Sequence, residues 1–583
     1  MPQTRFKPPL WTGAPRYPGR TNSLPQEHVA TGHTPQQRGS WAHFLVLVWP
    51  ADAAPRGPLH TRASWYTVPV ASLLPAISNR EGKLVTLVTS ELGASSSGLR
   101  RGAVGLREVL FQSVTDMAPG AAIAASIPAG VAFAGGGLPL SVLIALVACL
   151  LCASCVGELA RELPSAGSMG TYTARGLHPS IGFLVNWAYV AVAGLIPPLV
   201  LLQLGYTVAA TVNSYDSGFS LNLWWLFTIA GALIVLAAGY YGIRASARMG
   251  TILGAFEIVV FVVLAVLFVV KAGHANTLNV FTTKFTPAHF HGLSGIIAGS
   301  VFTILAFGGF EGAAPLAEEA KDPRKTIRRA VLGATLGVGL IYVFTTYAAD
   351  VVFGPAHFVL FSSAGAASWQ GIAKASYGIF WLFVFLAIVN STIANSNAGV
   401  TVSTRTAYAM GRIGAFPRFF ATVHRSHRTP QYGILTAFLV SIGVAVGLGL
   451  HFNPFVAFAM VGTGIVILLV AIYLLVNAAC IGYFLKTRGL KVNWWLHVVV
   501  PVLGILAFLP AWFSGAGIPI FSFISPLPAP YSYMGPAMGV WMVLGIIYMV
   551  YLYQRHPDRV TAVGTVHLDL EPEIDAASLA DPV

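Results

Sequence analysis

The sequence predicts an all-α polytopic membrane protein of about twelve transmembrane helices, and three observations carry that prediction. First, 55% of its 583 residues are hydrophobic and only 9% are charged, against roughly 25% charged in an ordinary soluble domain. Second, one crossing takes about 20 apolar residues, and the apolar stretches between Val109 and Val550 have room for a dozen. They begin near residues 109, 138, 180, 223, 250, 293, 325, 376, 432, 455, 495 and 536. Third, the basic residues sort by side. Crossing parity puts 22 of the Lys and Arg between Arg100 and Arg559 on one face and three, Lys271, Lys284 and Lys374, on the other. The positive-inside rule then makes both termini cytoplasmic, in a multi-pass protein of the plasma membrane. A miscounted helix would scramble this alternation.

The same composition excludes other classes. A net charge of +13 suggests nucleic acid only when Lys and Arg are massed on a soluble face, and here they sit in short loops between apolar runs. Cys149, Cys152 and Cys155 have a metal-like spacing, but no His is near and thiolates are costly in lipid. There is no GxxxxGK followed by Ser or Thr, no GxSxG and no HExxH. The expectation is no enzyme, no cofactor, no metal and no nucleic-acid partner; any driving force comes from gradients or a separate subunit.

In chain order, residues 1–104 hold twelve prolines and no run long enough to span, and read as a disordered N-terminal extension or as upstream sequence translated from a misplaced start. The transporter domain, 105–556, follows. Its first helix, VLFQSVTDMAPGAAIAASIPAGVAF, carries Pro119 and Gly120 where a continuous helix loses a hydrogen bond. Its sixth, GIIAGSVFTILAFGGFEGAAPLA, brackets Glu311 with Gly308, Gly309 and Gly312. The breaks lie about 190 residues apart, each opening a block of five helices. Irregular backbone persists in lipid only where protein or a wet cavity satisfies it, and paired interrupted helices point to an inverted-repeat transporter with a midplane site. The repeats are expected at about 105–272 and 290–486, followed by two extra helices at about 495–553 and an acidic cytoplasmic tail at 557–583.

The breaks define the candidate substrate site: Asp116, Met117, Ala118, Pro119, Gly120, Ala121 and Ala122 in the first, and Ala306, Phe307, Gly308, Gly309 and Phe310 in the second. The amides of Gly120, Ala121 and Ala122 open a half-helix whose positive end can receive a carboxylate. The carbonyls near Ala306, Phe307 and Gly308 close one and can accept from an ammonium. Phe307 and Phe310 can close over substrate or serve as ordinary packing. Three carboxylates fall inside spans, Asp116, Glu257 and Glu311, each at a cost of at least ~2.5 kcal/mol at a helix centre unless it finds a partner, a cavity or a proton. Glu311 and Glu257 are the candidate proton-coupling acids. In the polar eighth segment, NSTIANSNAGVTVSTRTAYAMGR, Ser391 and Thr392 can supply oxygens to a cation or bond between helices. The basic loop EEAKDPRKTIRRA is either a solvated topogenic segment or part of a gating network joining Glu158, Glu318, Glu319, Arg324 and Arg405.

Three stretches carry a family likeness. FGGFEGAAPLAEEAKDPRKTIRRA, GELARELPSAGSMGTYTARGLHPSIGFLVNWAY and RTAYAMGRIGAFPRFF resemble the sixth-helix, second-to-third-helix and eighth-helix regions of the amino acid, polyamine and organocation permease superfamily. The resemblance covers about Gly105 to His556. It implies a leucine-transporter-like five-plus-five inverted repeat, substrate held at the unwound parts of helices one and six, and Glu311 at the place of the family acid tied to proton-linked gating. Two departures stand out. TDMAPGAA replaces the glycine-rich GxG-type break of many members, and Glu257 stands in the region where some proton-coupled members carry a lysine. The expected function is import of an amino acid or related amine by proton symport. The alternatives are a polyamine or amine carrier or exchanger with Asp116 pairing the substrate cation, and a non-transporting nutrient sensor.

Overall fold

The computed structural model describes residues 104–564 apart from 166, 242–246, 291, 318, 363–364, 366–367, 413 and 425–428. The N-terminal extension up to residue 103, the acidic tail beyond residue 564 and Glu318 therefore lie outside the described residues. Among those described, eleven helical segments are long and apolar enough to cross a membrane. The first, Leu106–Glu162, has 57 residues, and at about 1.5 Å per residue a straight helix of that length would cover more than two hydrocarbon cores. It folds back instead. Gly135 takes φ 54°, and a Cβ placed on Gly299 would lie 2.8 Å from Ala134 and 3.1 Å from Ser141, so both arms flank the same point. Counted as two, these arms bring the crossings among the described residues to twelve.

We label the crossings in chain order: α1 (106–134), α2 (Leu138–Glu162), α3 (Pro179–Asn213), α4 (Trp224–Tyr240), α5 (Ala247–Ala272), α6 (Leu293–Leu316), α7 (Pro323–Phe353), α8 (Phe380–Arg412), α9 (Gln431–Phe452), α10 (Pro454–Lys486), α11 (Trp495–Ala516) and α12 (Met534–Arg555). Each begins within four residues of the position expected from the sequence. Proline explains much of that legibility: Pro139, Pro179, Pro323 and Pro454 sit in first turns, where their missing N–H costs nothing and their fixed φ suits a helix. At α10, Asn453 adds a side-chain cap, its Oδ1 accepting from the amides of Phe455 and Val456 at 3.0 and 2.9 Å.

Packing separates a core from a rim. The most apolar stretches of α6 and α10 are 83% buried, whereas that of α12 is 11% buried, leaving Val540, Val543 and Ile547 exposed as a lipid-facing helix requires. α7 lies along α2, α8 along α3, and α10 crosses α3. α12 is pinned by one reciprocal contact: Trp187 Nε1 donates to the Trp541 carbonyl at 3.0 Å and Trp541 Nε1 to the Trp187 carbonyl at 3.3 Å, with the rings stacked 4.7 Å apart. This packing leaves the interrupted helices α1 and α6 at the centre.

Candidate functional site

α1 stops at Met117. Ala118 takes φ 45° and ψ 68°, a left-handed conformation uncommon for any residue but glycine, and Pro119 restarts the helix with no N–H to give. Facing it, the α-helical part of α6 ends at Phe307, Gly309 takes φ 110°, and the chain continues as the 3-10 helix Phe310–Leu316. The two breaks are tied to each other. Ser113 Oγ donates to the Phe310 carbonyl at 2.8 Å and accepts from the Ala313 amide at 3.0 Å.

Glycine permits this approach. A Cβ on Gly309 would lie 2.5 Å from the Asp116 carbonyl carbon, and one on Gly312 would lie 1.9 Å from Asp116 Oδ2. Gly312→Ala should therefore push the Asp116 carboxylate out of its place, at the cost of about 1–3 kcal/mol that overpacking typically carries. The expected result is weaker substrate binding by the purified variant with a small loss of thermal stability; unchanged affinity would show that Asp116 need not sit there.

Backbone groups freed at the breaks find partners from distant helices, as hydrocarbon depth demands. Tyr342 of α7 donates its hydroxyl to the Met117 carbonyl at 3.0 Å, Asn395 of α8 donates to the Asp116 carbonyl at 2.7 Å, and Gln203 of α3 donates to the Ala121 carbonyl at 3.0 Å. The amides that the sequence offered to a substrate carboxylate are engaged from within. Gly120 N–H donates to Glu257 Oε2 at 3.2 Å, Ala121 N–H to Ser391 Oγ at 2.9 Å, and Ala122 N–H to the Ala118 carbonyl at 2.9 Å.

The carboxylates divide by surroundings. Glu311, 2% exposed, accepts from the Tyr473 hydroxyl of α10 at 2.9 Å and from the Gly309 amide at 3.2 Å, both on Oε2. Glu257, 3% exposed, adds a short hydrogen bond from the Asn390 amide to its contact with Gly120. Asp116 is half-buried and accepts from Gln112 Nε2 at 3.0 Å. None of the three forms an ion pair with a described residue. A fourth buried acid escaped the sequence reading: Asp350, in the last turn of α7, is fully buried, and neither of its oxygens has a hydrogen-bond partner among the described residues.

A cavity of about 70 Å³ lies between the breaks. Asp116, Met117, Ala118, Ala121 and Ala122 line it from α1, and Ala306, Gly308, Gly309 and Glu311 from α6. Tyr189 and Asn395, which the sequence did not single out, join them from α3 and α8. Pro119, Gly120, Phe307 and Phe310 are not among its walls. Phe307 packs edge-on against Tyr342, with centroids 5.3 Å apart, and Phe310 lies tilted against Tyr473 at 5.0 Å. Of the two hydroxyl residues, Ser391 reaches the α1 break, while Thr392 bonds its own helix through the Val389 carbonyl at 2.9 Å.

At the other end of α2, Glu158 is 4% exposed and gathers Arg328 of α7 at 2.9 Å, Arg161 at 3.6 Å and His497 of α11 at 3.7 Å. Glu319, Arg324 and Arg405 form no ion pair with a described residue. Glu319 contributes its backbone: its carbonyl accepts from Val104 N–H at 3.1 Å, beside a Lys321 N–H to Val104 carbonyl bond of 2.8 Å, which ties the entry to α1 to the loop after α6. Arg328→Ala should leave Glu158 short of its best partner and lower stability by about 1–3 kcal/mol, the cost of an undersatisfied buried group. Adding Glu158→Gln should recover part of that loss in a thermal melt, the signature of a direct pair.

With this geometry in view, comparison with known proteins is specific. The sequence pattern of the amino acid permease family matches residues 104–552. The low-affinity putrescine importer PlaP of Escherichia coli is 26% identical over 384 residues, 65% of this chain and 80% of the relative. The branched-chain amino acid permease BcaP of Bacillus subtilis is 25% identical over 338 residues, covering 54% and 69%, and the lysine-specific permease LysP of Lactococcus lactis is 24% identical over 331 residues, covering 53% and 61%. A match across all twelve crossings and both breaks settles the affiliation: the chain belongs to the amino acid permease family, within the amino acid, polyamine and organocation superfamily.

Proposed function

We propose that this permease imports an amino acid or related amine by proton symport, with both termini cytoplasmic and Glu311 as the principal proton carrier. One observation carries the reading: two interrupted helices face each other across a cavity walled by Asp116 and Glu311. An acid at membrane depth without a cationic neighbour needs a proton or a bound cation, and Glu311 holds a position where both can reach it. Its partners sit on both sides of a moving boundary. Gly309 belongs to the α6 break and Tyr473 to α10, so displacement of α6 from α10 changes the solvation of the acid.

The five-plus-five inverted repeat is supported by the packing, since α2 lies on α7 and α3 on α8, and these are the corresponding members of blocks 105–272 and 290–486. Glu257 is the second protonatable group, bracing the α1 break from α5. The Glu158 cluster joins α2, α7 and α11 at one membrane face and acts as the gate lock in place of the wider network read from the loop.

The test is uptake by proteoliposomes containing only this protein, with a panel of amino acids and amines under imposed pH or sodium gradients. Accumulation driven by an outside-acid gradient and abolished by a protonophore is the expected result. Uptake driven by sodium alone would replace the coupling ion, and binding without flux would make the protein a sensor.

A further inference from the structure

We infer that the substrate is a primary amine cation without an α-carboxylate, carrying a largely apolar body, because the protein's own acids occupy the places where a carboxylate would bind. This rests on the reading of the cavity between the breaks as the substrate site.

A broken helix becomes an anion receptor through the unpaired N–H groups of its restart. At the α1 break none is left: Pro119 has no N–H, Gly120 gives its proton to Glu257, Ala121 to Ser391, and Ala122 to the Ala118 carbonyl. At the α6 break Gly308 donates to the Leu305 carbonyl, Gly309 to Glu311, Gly312 to the Gly309 carbonyl, and Ala313 to Ser113, while the Glu311 N–H faces its own carboxylate and Phe310 is not among the cavity walls. A substrate carboxylate would have to displace one of these internal acceptors, and two of them are themselves carboxylates.

Charge points the same way. Asp116 and Glu311 both wall the cavity, and none of its lining residues is Lys, Arg or His. Two acids and no base attract an ammonium and repel a carboxylate. Beyond the acids the wall is largely apolar, with Val192, Ile196, Leu199, Leu305, Ile465 and Leu469. With Ser126, Tyr189 and Asn395 the polar side chains besides the two acids, that mostly apolar surface suits a hydrocarbon or aromatic body better than a second charged end.

Matched pairs isolate the carboxylate: 3-methylbutylamine with leucine, phenethylamine with phenylalanine, and putrescine with ornithine, titrated calorimetrically into the purified full chain in lipid nanodiscs. The two monoamines should bind at least about tenfold more tightly than their amino acids, the factor set by one hydrogen bond to a charged group, and more tightly than putrescine. Ser391→Ala, which frees the N–H of the wall residue Ala121, should narrow the gap between phenethylamine and phenylalanine by a similar factor. Leucine or phenylalanine binding as tightly as its amine in the wild type, or no binding by either amine, would overturn the inference whatever the variant does. Its failure is separable from that of proton symport. An amino acid that binds and carries protons inward would defeat the amine assignment alone, whereas an amine that binds and crosses without protons would defeat the coupling alone.

Discussion

Glu311→Gln is expected to lower pH-driven accumulation of substrate in proteoliposomes by about tenfold or more, because a coupling carboxyl that can no longer ionise removes the proton term that drives net import. Exchange of internal for external substrate needs no proton to be released, so it should persist. Glutamine keeps the side-chain length and one oxygen for Tyr473 and Gly309, which both contact Oε2, so the α6 break should survive and the variant should remain folded. Under the proposed symport, wild-type import should rise as the outside becomes acid and fall as it becomes alkaline, whereas the glutamine variant should show a nearly flat profile. A variant with the wild-type pH profile would leave Glu311 only the role of bracing the broken backbone.

Asp116→Asn is the second large effect. Asp116 stands at the C-terminal end of the first half of α1, where the helix dipole already favours a cation, and its Oδ2 rests in the space left by Gly312. Removing its charge should weaken binding of a cationic amine by about 10- to 100-fold, the range for a charge-assisted hydrogen bond. A zwitterion should lose less, since its carboxylate no longer faces a second acid. Calorimetry on amine and amino acid partners reads both losses at once. Equal losses, or none, would place Asp116 outside direct contact with the ammonium and leave it a local group at the helix end.

These effects trace back to how unevenly the sequence displays its site. Each crossing announces itself by about 20 apolar residues, and the breaks by Pro119–Gly120 and Gly308–Gly309, because backbone constraints are local. Asp116, Glu257 and Glu311 were legible too, since a carboxyl in an apolar run is conspicuous. Their partners were not. Tyr342, Asn395 and Gln203 hold the α1 break from helices 82 to 279 residues away in sequence, and Tyr473 reaches Glu311 across 162. A lone Tyr, Asn or Gln in a span carries no local sign of which carbonyl it will meet. The same blindness explains the α1 amides. Read along the chain they are an open anion receptor; only the fold brings Glu257 and Ser391 onto them. Asp350 was missed for a different reason, since it lies one turn from the end of α7, where an acid ordinarily faces water.

In the proposed mechanism substrate and proton enter together through the cavity between the α1 and α6 breaks. The most direct measurement loads proteoliposomes with a trapped pH-sensitive dye, sets equal pH on both sides and clamps the membrane potential at zero. Substrate is then added outside at the concentration that saturates binding. The expected result is internal acidification that begins with substrate entry, scales with the amount taken up, and disappears in Glu311→Gln vesicles that still exchange substrate. Substrate entering with no change in internal pH would contradict it.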